Sequence, residues 1–196
     1  MQKLCQDVCS LSKQVGAVIK SEREKFSRDC IEIKGKNDFV SYVDKSAERQ
    51  LISGLSLLLP EAGFIAEEGT STKIGERYNW IIDPLDGTTN FIHGIPCFAI
   101  SIALMQTIPS SNPAQENTKI IVLGVIYEIN LDECFYSWGG DKAYLNGKEI
   151  SVSNTVRVAD SLIATGFPYY DYKRMDEYME LFKYFMKNSR GLRRLG

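Results

Sequence analysis

The sequence is short of the residues that mark several specialised classes of protein. One histidine, His93, in 196 residues provides no histidine cluster for a transition metal and makes histidine acid–base catalysis a poor expectation. His93 is read instead as a packing or surface residue. The five cysteines, Cys5, Cys9, Cys30, Cys97 and Cys134, are odd in number and form no CxxC pair. Neither a zinc site nor a disulfide framework is indicated, and reduced thiols in a cytoplasm are expected. No apolar run is long enough to cross a bilayer, and the polar, amphipathic start "MQKLCQDVCSLSKQ" lacks the apolar core of a secretory signal. A net charge of −2 gives no general attraction to nucleic acid or an anionic membrane. Internal repeats and low-complexity tracts are also missing.

What is present is ordinary globular chemistry, 44% hydrophobic and 24% charged, read as a single domain over residues 1–196. Leu4, Val8, Leu11, Val15, Val18 and Ile19 recur at helical spacing and predict a helix over about 3–26. Strand-like "CIEI" and "FVSYV" surround the turn-forming "KGKND". A second helix is expected from Asp44, as N-cap, to Pro60. "GFIAEEG" and "WIID" follow as short apolar strands that each end in acid. "FAISIALM", "IIVLGVIYEI" and "CFYSWG" predict a sheet, with a hairpin at Asn146-Gly147. The polar segment 107–118 is a loop and a candidate nick site. "SLIATGFP" predicts a strand, and a last helix is expected over 172–188, with Met175, Tyr178, Met179, Phe182, Phe185 and Met186 on one face. The order of elements points to a layered α/β or α+β domain.

The chemistry concentrates in "WIIDPLDGTTNF", residues 80–91. Asp83 and Asp86 stand three apart where an apolar strand is expected to end, a costly place for two charges unless a cation shares it. Pro84 pushes Asp83 toward an extended backbone, Gly87 permits a sharp turn, and Thr88 or Thr89 is placed to cap a short helix. Two carboxylates and the Leu85 carbonyl then suit Mg²⁺, which takes few protein oxygens. A helix start beside them would seat a phosphate. If the two acid-ended strands are neighbours, Glu67 reaches the same cation and orients an attacking water. Taken singly, each feature has a plainer reading: Asp-Pro and Asp-Gly as turn dipeptides, Glu67-Glu68 as a solvated loop, and Asp44 as a cap. The basic residues Lys187, Arg190, Arg193 and Arg194 read as a solvated helix end. The combination carries the inference.

The string "WIIDPLDGTTNFIHGIPCFAISIAL" closely resembles the first signature of the inositol monophosphatase family. "KGKNDFVSYVDKSAE", "FIAEEG", "GVIYEI", "AYLNGKEISVS", "ATGFPY" and "RRLG" fall in that family's order, so the resemblance covers nearly the whole chain. It implies a layered sugar-phosphatase fold and Mg²⁺-dependent, lithium-sensitive hydrolysis of a phosphate monoester, myo-inositol monophosphate first. It implies two or three Mg²⁺ ions in a complete site. Glu67, Asp83 and the Leu85 carbonyl would hold one ion, and Asp83 and Asp86 would contribute to a second. Thr88, polarised by Asp44, would activate water together with Glu67. Asp86, Gly87 and Thr88 would meet the substrate, the Gly87–Thr88 backbone holding its phosphate, and Lys34 would match a basic residue near the metals. A homodimer is expected, with no nucleic acid or membrane partner.

There are two departures. Ala66 stands where the family has Gly before Glu-Glu. The family's second signature, a Trp-Asp pair that supplies another metal aspartate, is also missing, since Trp80 precedes Ile81 and Trp138 precedes Gly139. The sequence therefore reads as the N-terminal two-thirds of a family member, with the C-terminal part absent. Three rivals stand beside the main reading. Sugar-phosphate and histidinol-phosphate phosphatases share the fold. Haloacid-dehalogenase-type enzymes use Asp-x-Asp-Gly-Thr with a covalent aspartate, but here two residues separate the acids. The third is a catalytically silent binding or dimerisation module.

Overall fold

A 24-residue helix, α1 (Gln2–Lys25), opens the chain and buries Cys5, Val8, Ser12, Val15, Gly16 and Ile19. The expected stripe is therefore rotated slightly. Val18 is 40% exposed, and small or polar-tipped residues fill its place, the Ser12 hydroxyl donating to the Val8 carbonyl at 2.9 Å. Gly16 is there because α1 packs too closely for a side chain. A Cβ at that position would sit 2.5 Å from the Tyr127 ring.

In this computed structural model, residues 1–25, 31–35, 38–71, 73–112, 116–140, 142–167 and 171–194 are described, without side-chain detail for 31–41. The chain divides into two units, Met1–Ser151 and Val152–Gly196.

In the first unit, β1 (Ile31–Gly35) and β2 (Asp38–Ser41) form an antiparallel hairpin, as the segment around "KGKND" predicts. Lys34 lies in β1, but its side chain is outside the described residues, as is Cys30. Helix α2 (Tyr42–Leu58) begins two residues before the expected cap. Asp44 is thus inside the first turn, where it is buried among Val43 and Ala47. It is not the N-cap. A seven-stranded sheet follows in the order β3 (Gly63–Ala66), β4 (Tyr78–Asp86), β5 (Ala99–Ile108), β6 (Thr118–Glu128), β7 (Glu133–Trp138), β8 (Ala143–Leu145) and β9 (Lys148–Ile150). Only β3–β4 is parallel; the other pairs are antiparallel. The 8–9 connection is the expected Asn146-Gly147 turn, with φ of 47° and 87°, both positive as a type I′ hairpin requires.

Burial alternates along β5, with Ile100, Ile102 and Leu104 inward, the pattern of an antiparallel sheet packed mainly on one face. Trp80, Phe91 and Leu123 complete the fully buried centre, each side chain contributing about 1.5–3 kcal/mol by its removal from water. The core thus forms where α1 and α2 cover the sheet.

In the second unit, β10 (Leu162–Ala164) pairs in parallel with β11 (Gly191–Arg193). The latter was not foreseen in "RRLG". Helix α4 (Met175–Asn188) starts three residues later than expected. Arg190 reaches Asp160 at 3.6 Å and the Arg194 guanidinium lies 4.9 Å from the Phe167 ring centroid, so these two basic residues have partners within this unit.

Candidate active site

The parallel pairing of β3 with β4 sets Ala66 beside Ile82, and the Glu67 amide extends it by donating to the Ile82 carbonyl at 3.2 Å. Glu67 is thereby delivered next to Asp83, one residue on, as the expected neighbouring strands require. Strand β4 does not stop at Asp83. It runs through Pro84 to Asp86, and its register with β5 slips between Asp83 and Asp86, because proline has no amide to give the ladder. The slip creates the local turn. The Leu85 amide donates to Asp83 Oδ1 at 3.1 Å, and Leu85 itself is buried, anchoring the acids to the core.

Burial pushes the Asp83 carboxyl up to about 7, with further rises from the Glu67 and Asp86 charges and from a hydrogen bond shared with Glu67; only the Leu85 amide opposes them. Three carboxylates thus crowd one strand end, Glu67 and Asp86 exposed and Asp83 half-buried. Among the described residues no group of three or more His, Cys, Asp or Glu is drawn into a ready metal cluster. The donor set nevertheless fits a hard dication, since carboxylate oxygens already forced together lose their mutual repulsion when a cation joins them.

Gly87 has φ of 98° and serves as the N-cap of α3 (Thr88–His93), with no side-chain cap. Neither threonine caps the helix, contrary to expectation. The Thr88 hydroxyl donates instead to the Leu85 carbonyl at 2.9 Å, bringing together two groups expected at the site. A Cβ on Gly87 would meet the Cys97 carbonyl at 2.9 Å, so the turn is fitted against the following loop. Asn90 Nδ2 donates to that same carbonyl at 2.8 Å, and Phe91 stacks edge-on against Phe98 at 5.4 Å. His93 ends α3 on the surface, in keeping with its bland reading.

One residue of this region escaped the sequence reading. Glu48 is fully buried in α2 and its carboxylate accepts the amides of Glu68 and Thr70 at 2.7 and 2.8 Å and the Thr70 hydroxyl at 2.6 Å. It fixes the turn that carries Glu67. The available signal was an acid at the i+4 position from Asp44, within the apolar stripe of Val43, Ala47, Leu51 and Leu55.

A layered α/β protein with acids at the end of paired strands, and a hydroxyl-bearing turn beside them, is the class these features define. The sequence profile of the inositol monophosphatase family matches residues 1–196. An inositol-1-monophosphatase of Mesorhizobium japonicum is 35% identical over 194 residues, 95% of this chain and 68% of the relative. A putative Nus factor SuhB of Neisseria meningitidis is 38% identical over 164 residues, 83% of this chain and 59% of the relative. The crystal structure of the extragenic suppressor protein suhB from Bartonella henselae superposes with a TM-score of 0.84 at 34% identity, covering 99% of this chain and 70% of that one. An IMPase of Thermotoga maritima gives 0.79 at 30%, covering 100% and 69%. The chain belongs to the inositol monophosphatase family, a family of phosphatases, and it spans about three-fifths to two-thirds of the length of the curated relatives it matches.

Proposed function

We propose that the protein hydrolyses phosphate monoesters, myo-inositol monophosphate first among them, by attack of a water at phosphorus with no covalent enzyme intermediate. The observation that carries this reading is the crowding of Glu67, Asp83 and Asp86 at one strand end, where burial and then the two neighbouring charges push Asp83 up to about 7, a repulsion that a divalent cation would relieve. Glu67, Asp83, the Leu85 carbonyl and Asp86 are the groups that would hold Mg²⁺, two or three ions in a complete site. Bound there, Mg²⁺ supplies charge neutralisation of the phosphate and a water of lowered pKa. Glu67 takes the proton of the attacking water. Thr88, oriented by Asp44, holds that water once its hydroxyl exchanges the Leu85 carbonyl for the new acceptor. The Gly87–Thr88 backbone receives the phosphate oxygens beside Asp86.

The substrate class follows the names of relatives, among them an inositol-1-monophosphatase and a fructose-1,6-bisphosphatase/inositol-1-monophosphatase of Aquifex aeolicus. Sugar phosphates therefore come second and histidinol phosphate third. Lithium sensitivity, a homodimer and a cytoplasmic location belong to the same proposal. The test is phosphate release from myo-inositol 1-phosphate, fructose 1,6-bisphosphate and histidinol phosphate, with Mg²⁺ and with Mg²⁺ plus Li⁺. Lithium-sensitive release, fastest on the inositol ester, is expected. No release from any of the three would overturn the proposal. It would favour a second reading, a binding role without turnover, which the relative named as a putative Nus factor supports.

A further inference from the structure

Helix α1 runs along β7 in a regular register. Cys5 Sγ donates to the Ser137 carbonyl at 3.9 Å, and two helical turns on, Lys13 Nζ meets Asp132 Oδ1 at 2.8 Å. Midway between them on the same helix face is Cys9, and between Ser137 and Asp132 on the opposing segment is Cys134, so the register sets Cys9 opposite Cys134. Cys5 and Cys134 are buried, whereas Cys9 is half-buried. Cys9, Cys134, Lys13 and Tyr136 line a cavity of about 430 Å³, wide enough for a small oxidant.

We propose that Cys9 and Cys134 form a reversible disulfide when the protein meets hydrogen peroxide, with Cys9 the sulfur that reacts first and Cys134 the one that resolves it. Geometry selects this pair. Cys5 and Cys9 are i and i+4 on one helix, which sets their Cβ atoms about 5–6 Å apart, beyond the roughly 3.5–4.5 Å that a disulfide spans. Cys5 is directed at Ser137, with Cys9 between it and Cys134.

Cys9 is the more exposed of the pair and opens on the cavity, so it meets peroxide first. Cys9 sulfur attacks one peroxide oxygen, the O–O bond breaks, and the thiol proton leaves with the departing oxygen, giving a Cys9 sulfenic acid and one water. Cys134 sulfur then displaces the sulfenic hydroxyl, its own proton leaving with that hydroxyl as a second water. Two thiols are oxidised and one peroxide is reduced.

The test uses the chain with Cys30→Ser and Cys97→Ser, exposed to hydrogen peroxide and mapped by non-reducing peptide mass spectrometry. A mass loss of two hydrogens, a Cys9–Cys134 cross-link and its reversal by dithiothreitol are expected. Adding Cys134→Ser should instead leave a Cys9 sulfenic acid that dimedone traps. No cross-link, or one that includes Cys5, overturns the pairing.

Discussion

Replacing Asp83 by asparagine should stabilise the cation-free protein at alkaline pH. Asp83 is pushed up to about 7 by burial and by the charges of Glu67 and Asp86, whereas in an unfolded chain it titrates near the usual aspartate value of about 3.9. The folded state therefore binds this proton more tightly than the unfolded state. The resulting contribution is fully present below the unfolded pKa and disappears as pH rises through about 7. Asp83 is only half-buried, so screening by solvent reduces the difference to about 1–2 kcal/mol between pH 5 and pH 8. Asparagine cannot ionise, yet it keeps an oxygen for the Leu85 amide that now donates to Asp83 at 3.1 Å. Calorimetry in chelator should show the variant's advantage growing between pH 5 and pH 8. Over that range its melting temperature should gain about 2–8 °C on the unsubstituted chain, given the usual shift for a chain of this size. Added Mg²⁺ should raise the melting temperature of the unsubstituted chain at pH 8 more than that of the variant. A variant that melts lower at pH 8 would refute the electrostatic reasoning.

Two further substitutions probe the elements that deliver the acids. Glu48→Gln weakens three hydrogen bonds to a fully buried side chain and should cost about 1–3 kcal/mol in urea denaturation. Amide exchange at Glu68 and Thr70 should accelerate at the same time, and unchanged exchange would remove Glu48 from its role in holding the turn. Gly87→Ala places a Cβ 2.9 Å from the Cys97 carbonyl at φ 98°. A loss of about 1–3 kcal/mol is expected, with phosphate release falling more than stability does; wild-type release would show that the turn tolerates displacement.

Much of the first unit was legible because it rests on period and punctuation. The alternation through "FAISIALM", the Asn146-Gly147 turn and the acid-ended strands all reappear as β5, the 8–9 hairpin and the β3–β4 pair. The misses have local causes. Asp44 looked like a cap because short polar residues favour caps, but α2 starts at Tyr42 and buries it. The strand was expected to end at the acids, whereas β4 runs on through Pro84 to Asp86 with a register slip. The helix after Gly87 was given a threonine cap, but the hydroxyl of Thr88 had a nearer acceptor in Leu85. Glu48 was hidden because its partners are backbone amides twenty or more residues away, which no local pattern encodes. The second unit was read least well, since three-residue strands such as β10 and β11 carry almost no periodicity.

Binding of a divalent cation by the carboxylates of Glu67, Asp83 and Asp86 is the claim on which the proposed chemistry depends. The direct measurement is Mn²⁺ binding, used as a paramagnetic stand-in for Mg²⁺, followed by electron paramagnetic resonance at pH 7.5 in the unsubstituted chain and in Asp83→Asn. The expected result is saturable binding that Mg²⁺ displaces and that weakens at least about tenfold in the variant, the loss expected when a principal oxygen ligand is removed. Equal binding by the two chains, or none by either, would contradict it.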